Sequence, residues 1–195
     1  MIAEATRRSP LADYSDRFAG LSRSSNGRLE LRELPFLTQV NLRADPSDPS
    51  TMQAVREGLG LDLPLHPNTA AAAGDRSALW LGPDEWLIVA PPGHAAAIEE
   101  ATQKALAGSG SVVDVSANRT ALLVKGTAAG ELLAFGCAID LHARAFGPGR
   151  CAQTMLARAQ VIIEHMEAGS AFVVYVRASF ATYLAEWLLD AAGAL

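Results

Sequence analysis

The chain has 195 residues, half of them hydrophobic and 19% charged, with a formal net charge of −5. That length can bury one sizeable core, so one compact domain is expected in preference to two. The negative balance leaves no electrostatic footprint for nucleic acid, and no uncharged apolar run approaches the roughly 20 residues needed to span a bilayer.

Residues 1–32 differ from the rest: they hold six arginines and four acids, and neither helical nor strand periodicity is sustained. Arg7-Arg8 is followed by Ser9-Pro10-Leu11-Ala12-Asp13 where a secretory signal would need an apolar run, so a cytoplasmic protein is expected. Leu11, Tyr14 and Phe18 are spaced three and four apart and share one helical face, which makes them candidate partner contacts on an extended N-terminal arm. A disordered tail is the alternative. The expected division is an arm over 1–32 and one domain over 33–195.

From Leu34 the pattern is that of a folded chain. Phe36 to Arg43 predicts a strand, and Asp45-Pro46-Ser47-Asp48-Pro49 a turn. Ser50 with Gln53 reads as a capping box, starting a short helix that carries Met52, Val55 and Leu59 and ends at Gly58 or Gly60. Residues 61–74 read as a connector. Residues 78–81 and 86–89 flank Gly82-Pro83-Asp84-Glu85, a hairpin whose proline pre-sets the turn. A helix follows from His94 to Ala107, with strands over 111–115 and 119–125 and a helix over 127–135 after it. Ala138 to Leu141 is a short strand at best. Cys151–Arg158, Gln160–Met166 and Phe172–Arg177 predict three strands, the last two joined by a turn at Glu167-Ala168-Gly169-Ser170. Ser179 caps a final helix with Phe180, Tyr183, Leu184, Trp187, Leu188 and Ala191 on its apolar stripe. Strand pairs alternating with helices argue α+β, with mostly antiparallel sheets and helices packed on them.

No catalytic constellation emerges. Gly126-Thr127-Ala128-Ala129-Gly130 lacks the lysine of a P-loop, and no G-x-G-x-x-G links a strand to a helix. The four histidines are scattered, and none has the spacing of a metal site. His142 reads as a turn residue in preference to a general base. Asp84 and Glu85 are adjacent turn carboxylates that would point apart. Cys137 and Cys151 form neither a zinc pattern nor a disulfide framework and read as reduced thiols. Asp114 interrupts an apolar strand ahead of Ser116 and Arg119. These three form the candidate polar turn site, with Asp114 either accepting from Ser116 or pairing with Arg119.

Four segments taken together carry a resemblance: Gly82-Pro83-Asp84-Glu85-Trp86, the stretch Asp114 to Gly126, Cys137 to Phe146 with Gly149 to Ala159, and Arg177-Ala178-Ser179-Phe180 to Trp187. In order and spacing they resemble the gamma subunit of heterotetrameric sarcosine oxidase, a relative of the folate-binding aminomethyltransferase module. The resemblance implies an α+β fold like that module and an accessory, non-catalytic subunit of a bacterial enzyme. Such an enzyme oxidises sarcosine to glycine with oxygen and passes the methyl carbon to tetrahydrofolate. It also implies docking on the largest subunit, with FAD, FMN, NAD, tetrahydrofolate and zinc on other subunits and no cofactor, metal or catalytic residue on this chain. The rivals are an independent folate-dependent aminomethyltransferase-like protein, for which the chain is short, and a folate-binding cluster-assembly chaperone, whose cysteine motif is missing here.

Overall fold

The computed structural model of the protein describes residues 7–166 and 170–195. Two five-stranded antiparallel sheets stack face to face, with helices on their outer faces. The glutamate, alanine and glycine expected to begin the turn before Ser170 lie outside the described residues.

The first sheet is built from β1 (Glu30–Leu34), β7 (Arg119–Lys125), β10 (Ala171–Arg177), β9 (Ala159–His165) and β8 (Arg150–Leu156), in that spatial order. The second contains β3 (Ala70–Ala73), β4 (Arg76–Gly82), β5 (Glu85–Ala90), β2 (Thr38–Arg43) and β6 (Ser111–Asp114), in that order. Among the described residues, five α-helices complete the fold: α1 (Ser15–Ser24), α2 (Pro49–Leu59), α3 (Ala95–Leu106), α4 (Ala129–Ala134) and α5 (Ala181–Ala192).

Side chains alternate across a strand, so each sheet offers one face to helices and one to the other sheet. Val40, Leu42, Trp86 and Ile88 face outward from the second sheet and are covered by Val55 and Leu59 of α2 and Ile98 and Leu106 of α3. Trp86 is wholly buried, and its indole N–H donates to the Pro64 carbonyl at 2.7 Å, so a large ring is placed in the core without an orphaned donor. Leu122, Val124, Val174 and Ile163 do the same in the first sheet, under α4 and α5. Leu79, Leu87, Val89, Leu123, Val173 and Tyr175 fill the layer between the sheets.

Several boundaries differ from expectation for local reasons. The cap of α2 is Asp48, not Ser50: its carboxylate accepts from the Ser50 amide at 3.0 Å and the Thr51 hydroxyl at 2.6 Å, and Pro49 takes the first helical position. Gln53 instead donates to Glu57 at 3.0 Å. Gly60, in the left-handed region at φ 65°, closes that helix. Ala70–Ala73, read as connector, is a strand because it pairs with β4 from Ala70↔Leu79 to Ala73↔Arg76. Ala138 to Leu141 forms no strand; only Cys137 makes a single bridge, to Leu156.

The largest correction concerns the N-terminus. The chain folds well before residue 33. Leu11 and Phe18 are 1% and 3% exposed in the core beneath α1, together with Leu29 and Leu31 around β1. β1 then pairs with β7 from Glu30↔Lys125 to Leu34↔Ala121. Thus Leu11 and Phe18 are not available as partner contacts: their apolar surface is already spent inside their own chain. Among the described residues, the expected arm is part of the domain.

Candidate functional site

The segment around Gly126 is positioned by backbone crossing. Gly126 has φ 119°, and a Cβ there would lie 2.2 Å from the Arg28 carbonyl oxygen, so only glycine fits where β7 passes the entry to β1. The amides opening α4 are occupied: Ala128 donates to the Arg28 carbonyl at 3.2 Å and Ala129 to the Gly126 carbonyl at 3.1 Å. The turn is no open cradle for a pyrophosphate, because the amides of Gly126, Ala128 and Ala129 are already bonded and the glycine accommodates protein, not ligand. Among the described residues, no group of three or more His, Cys, Asp or Glu side chains is gathered to hold a metal ion.

The three members of the polar turn site take separate roles. Asp114 accepts from both the amide and the hydroxyl of Ser116, the former at 2.8 Å, closing an Asx turn. The Ser116 hydroxyl in turn accepts from the Gln39 amide at 2.9 Å, which fastens the turn to β2. Arg119 makes no bond to Asp114. It lies opposite Arg177 on β10, and burial, followed by the Arg177 charge, presses its pKa below the ordinary value. The arrangement stitches strands together and brings no acid–base pair to a reacting centre.

Other titratable candidates are similarly committed. Asp84 and Glu85 both pair with Arg43, at 3.3 and 2.7 Å. His142 lies exposed in a turn, its ring nitrogen accepting from the Arg144 amide at 3.2 Å. Cys151 is buried and its thiol is pushed up to about 12, chiefly by burial, while Cys137 is half-buried; both are free thiols. Tyr14 donates to Glu186 of α5 at 2.7 Å, and Arg17 grips the same carboxylate, its second contact at 2.7 Å. Tyr14 therefore ties α1 to α5.

The surface exposes Leu65, Val113, Met155 and Met166 and, besides these, three aromatic rings. Phe135 at the end of α4 is 53% exposed, and Phe180 and Tyr183 are 42% and 37% exposed. Phe180 and Tyr183 meet edge to face at 6.2 Å. They share one neighbourhood with Phe135: a Cβ on Gly136 would lie 2.6 Å from the Trp187 ring, Ala157 donates to the Gly136 carbonyl at 2.9 Å, and the next amide, Arg158, donates to the Tyr183 hydroxyl at 3.3 Å. The stripe expected on α5 is rotated accordingly. Ala181, Leu184, Ala185, Leu188 and Ala192 are buried, Trp187 is half-buried at the margin, and Phe180 and Tyr183 face out. Phe135 was missed in the sequence because a lone phenylalanine after a short helix gives no periodic signal.

Two stacked antiparallel sheets flanked by helices define an α+β class. The aminomethyltransferase T of the glycine cleavage system from Bartonella henselae shares that architecture at a TM-score of 0.67 and 14% identity, over 95% of this chain and 57% of that one. The sarcosine oxidase gamma subunit family model matches residues 43–194, and the chain belongs to that family. It is 40% identical to the sarcosine oxidase subunit gamma of an Arthrobacter species over 95% of this chain and 89% of the relative, and 38% identical to that of Corynebacterium sp. strain P-1 over 96% and 90%. A chain of the heterotetrameric sarcosine oxidase from Corynebacterium sp. U-96, solved in complex with pyrrole 2-carboxylate, superposes with a TM-score of 0.85 at 34% identity, covering 96% of this chain and 95% of that one.

Proposed function

We propose that this chain is the gamma subunit of a heterotetrameric sarcosine oxidase and serves it as a docked accessory subunit with no catalytic group of its own. The observation that carries the reading is the likeness to a chain of the Corynebacterium sp. U-96 complex, which runs over 96% of this chain and 95% of that one. The partner is the largest subunit. Sarcosine oxidation and the handling of the methyl carbon then belong to the other subunits, with their flavins, NAD, tetrahydrofolate and zinc. What this chain supplies is surface. Phe135, Phe180 and Tyr183 are large apolar side chains exposed in one neighbourhood, and aromatic anchors carry a disproportionate share of interface energy.

The test is co-expression of the full chain with the other subunits, followed by co-purification and a titration of the reassembled complex. A Phe135→Asp, Phe180→Asp double substitution should weaken association by roughly 30-fold, the equivalent of about 2 kcal/mol lost at anchor positions. Because both residues are exposed, the melting temperature of the chain should stay within a few degrees of the parent. Full recovery of the doubly substituted chain in the complex would remove this surface from the interface. Failure of the parent chain to associate at all would overturn the subunit reading.

A further inference from the structure

A cavity of about 450 Å³ opens at one end of the layer between the two sheets. Its walls are apolar: Leu34 and Leu37 from the β1–β2 passage, Val89 and Pro91 from the end of β5, and Val173 from β10. On its floor is a carboxyl group. Glu164 lies on β9 with register partners Cys151 on one side and Val173 on the other, both facing the same inter-sheet space. It is only 7% exposed. Its Oε2 accepts from the Tyr175 hydroxyl at 2.7 Å, and Tyr175 is 2% exposed. Ser77 on β4, which also lines the cavity, is a further hydrogen-bonding neighbour.

Most carboxylates of this chain face water or an arginine. None of the salt bridges among the described residues involves Glu164. An ionised carboxylate offers about four acceptor positions, and the Tyr175 hydroxyl occupies one, with Ser77 close by. A pair that served only as a polar strut between the sheets would need no opening to solvent beside it. Instead the carboxyl borders a cavity whose volume lies within the range of small-molecule sites, roughly 300–1,000 Å³. The one guanidinium at the rim, Arg76, already donates to the Leu59 carbonyl at 2.8 Å, and Asp75 stands beside it. A ligand entering the cavity therefore meets two carboxyl groups, Glu164 and Asp75, against the single Arg76 charge.

We infer that the inter-sheet cavity is a binding site for a small, flat, largely apolar ligand that presents a cationic or N–H-donating group to Glu164. The flat apolar body fits between Leu34, Val89 and Val173, and the donor group fills the open acceptor positions of the carboxylate. Burial raises the Glu164 pKa above its ordinary value, so a cation at this position must displace a proton or favour the ionised form. The titratable groups around Glu164 are Tyr175 on β10, Cys151 on β8 and His165, the next residue of β9, which lines the same cavity; Asp75 and Arg76 sit at the mouth. The tyrosine and the thiol are both raised by burial, so neither gains charge between acid and neutral pH, and Glu164→Gln separates the carboxyl's contribution from that of the other groups at the cavity.

The assay titrates the full chain with benzamidine, a flat amidinium, and with benzoate, its anionic counterpart of similar shape, followed by ligand-detected NMR and calorimetry. Benzamidine should bind saturably and benzoate should not, and benzamidine affinity should rise with pH until Glu164 is ionised. Glu164→Gln, which keeps the shape, should weaken benzamidine at least ~10-fold and abolish the pH dependence. Ala72→Trp, at an exposed strand position lining the mouth, should block binding by filling the cavity without touching the buried pair. A purely structural Glu164 would leave benzamidine and benzoate indistinguishable. That result, or unchanged affinity in Ala72→Trp, overturns the inference. Neither arm depends on association with other subunits, so failure here is separable from failure of the subunit reading.

Discussion

Truncating Phe18 to alanine asks most directly whether the N-terminal helix belongs to the fold. Phe18 is 3% exposed and sits in the same core cluster as Leu11, Leu31, Leu132 and Leu188, which come from the N-terminal segment, β1, α4 and α5. Returning a buried phenylalanine to water costs about 1.5–3 kcal/mol in transfer alone. The cavity left in a core formed by three other elements adds to this, and the sum for Phe→Ala is typically about 3–5 kcal/mol. For a chain of this size each kcal/mol moves the melting midpoint by roughly 2–4 °C, so the expected loss is about 6–20 °C. Thermal unfolding followed by circular dichroism at fixed concentration reads this directly. Tyr14→Phe is the control: it removes an exposed hydroxyl from Glu186 and should shift the midpoint by no more than a few degrees. A Phe18→Ala midpoint within about 2 °C of the parent would show that α1 is peripheral and that the burial argument fails.

Two further outcomes follow from titratable groups. Glu186 is held at about 2, well below its ordinary value, first by Arg17 and then by Tyr14. Its folded pKa is depressed, so its contribution is present above the unfolded carboxylate range near 4.3 and is lost as pH falls through about 2. Glu186→Gln should therefore be less stable than the parent at pH 6 and converge with it near pH 2, measured by denaturant midpoints across that range. A thiol reagent should modify one of the two cysteines of the native chain, the half-buried Cys137, while Cys151 reacts only on unfolding. Mass spectrometry of the labelled peptides counts them, and rapid modification of Cys151 would contradict its burial.

Local chemistry made much of the architecture legible. Gly82-Pro83-Asp84-Glu85 marks a hairpin on its own, and β8, β9 and β10 are apolar runs broken by short turns. The strand Ala70–Ala73 was hidden because four alanines carry no alternation and little strand preference; pairing with β4 decides it. On α5 the eye follows Phe180 and Tyr183, but the core selects Ala181 and Ala185, whose small side chains let the helix approach the sheet. The spacing of Leu11, Tyr14 and Phe18 reads as one helical face; Leu11 precedes the helices, Tyr14 ends a short 3-10 turn and only Phe18 lies in α1, yet all three pack on one core, and nothing local says whether they meet a partner or the chain itself. Burial there is decided by a core that includes residues of β7, α4 and α5, and Tyr14 and Arg17 bond Glu186 more than 150 residues downstream. Glu164 is visible as the single acid in Gln160-Val161-Ile162-Ile163-Glu164-His165. What makes it notable is the company of Tyr175, Ser77 and an open cavity, which arises only from long-range pairing.

The strand order also bears on how the chain assembles as it leaves the ribosome. β1 emerges first but hydrogen-bonds to β7, and between them the chain must produce every strand of the other sheet. That second sheet, with α2 and α3, is complete once β6 has appeared, so it can close while β1 still waits with both edges open. Its closure brings the end of β1 and the start of β7 together and shortens the loop that the β1–β7 pairing would otherwise have to close unaided. Synthesis from the N-terminus thus puts the middle of the chain in charge of its two ends: a slow-folding substitution in β2 or β5 would delay the sheet that contains neither strand, and would prolong the exposure of β1 to other chains.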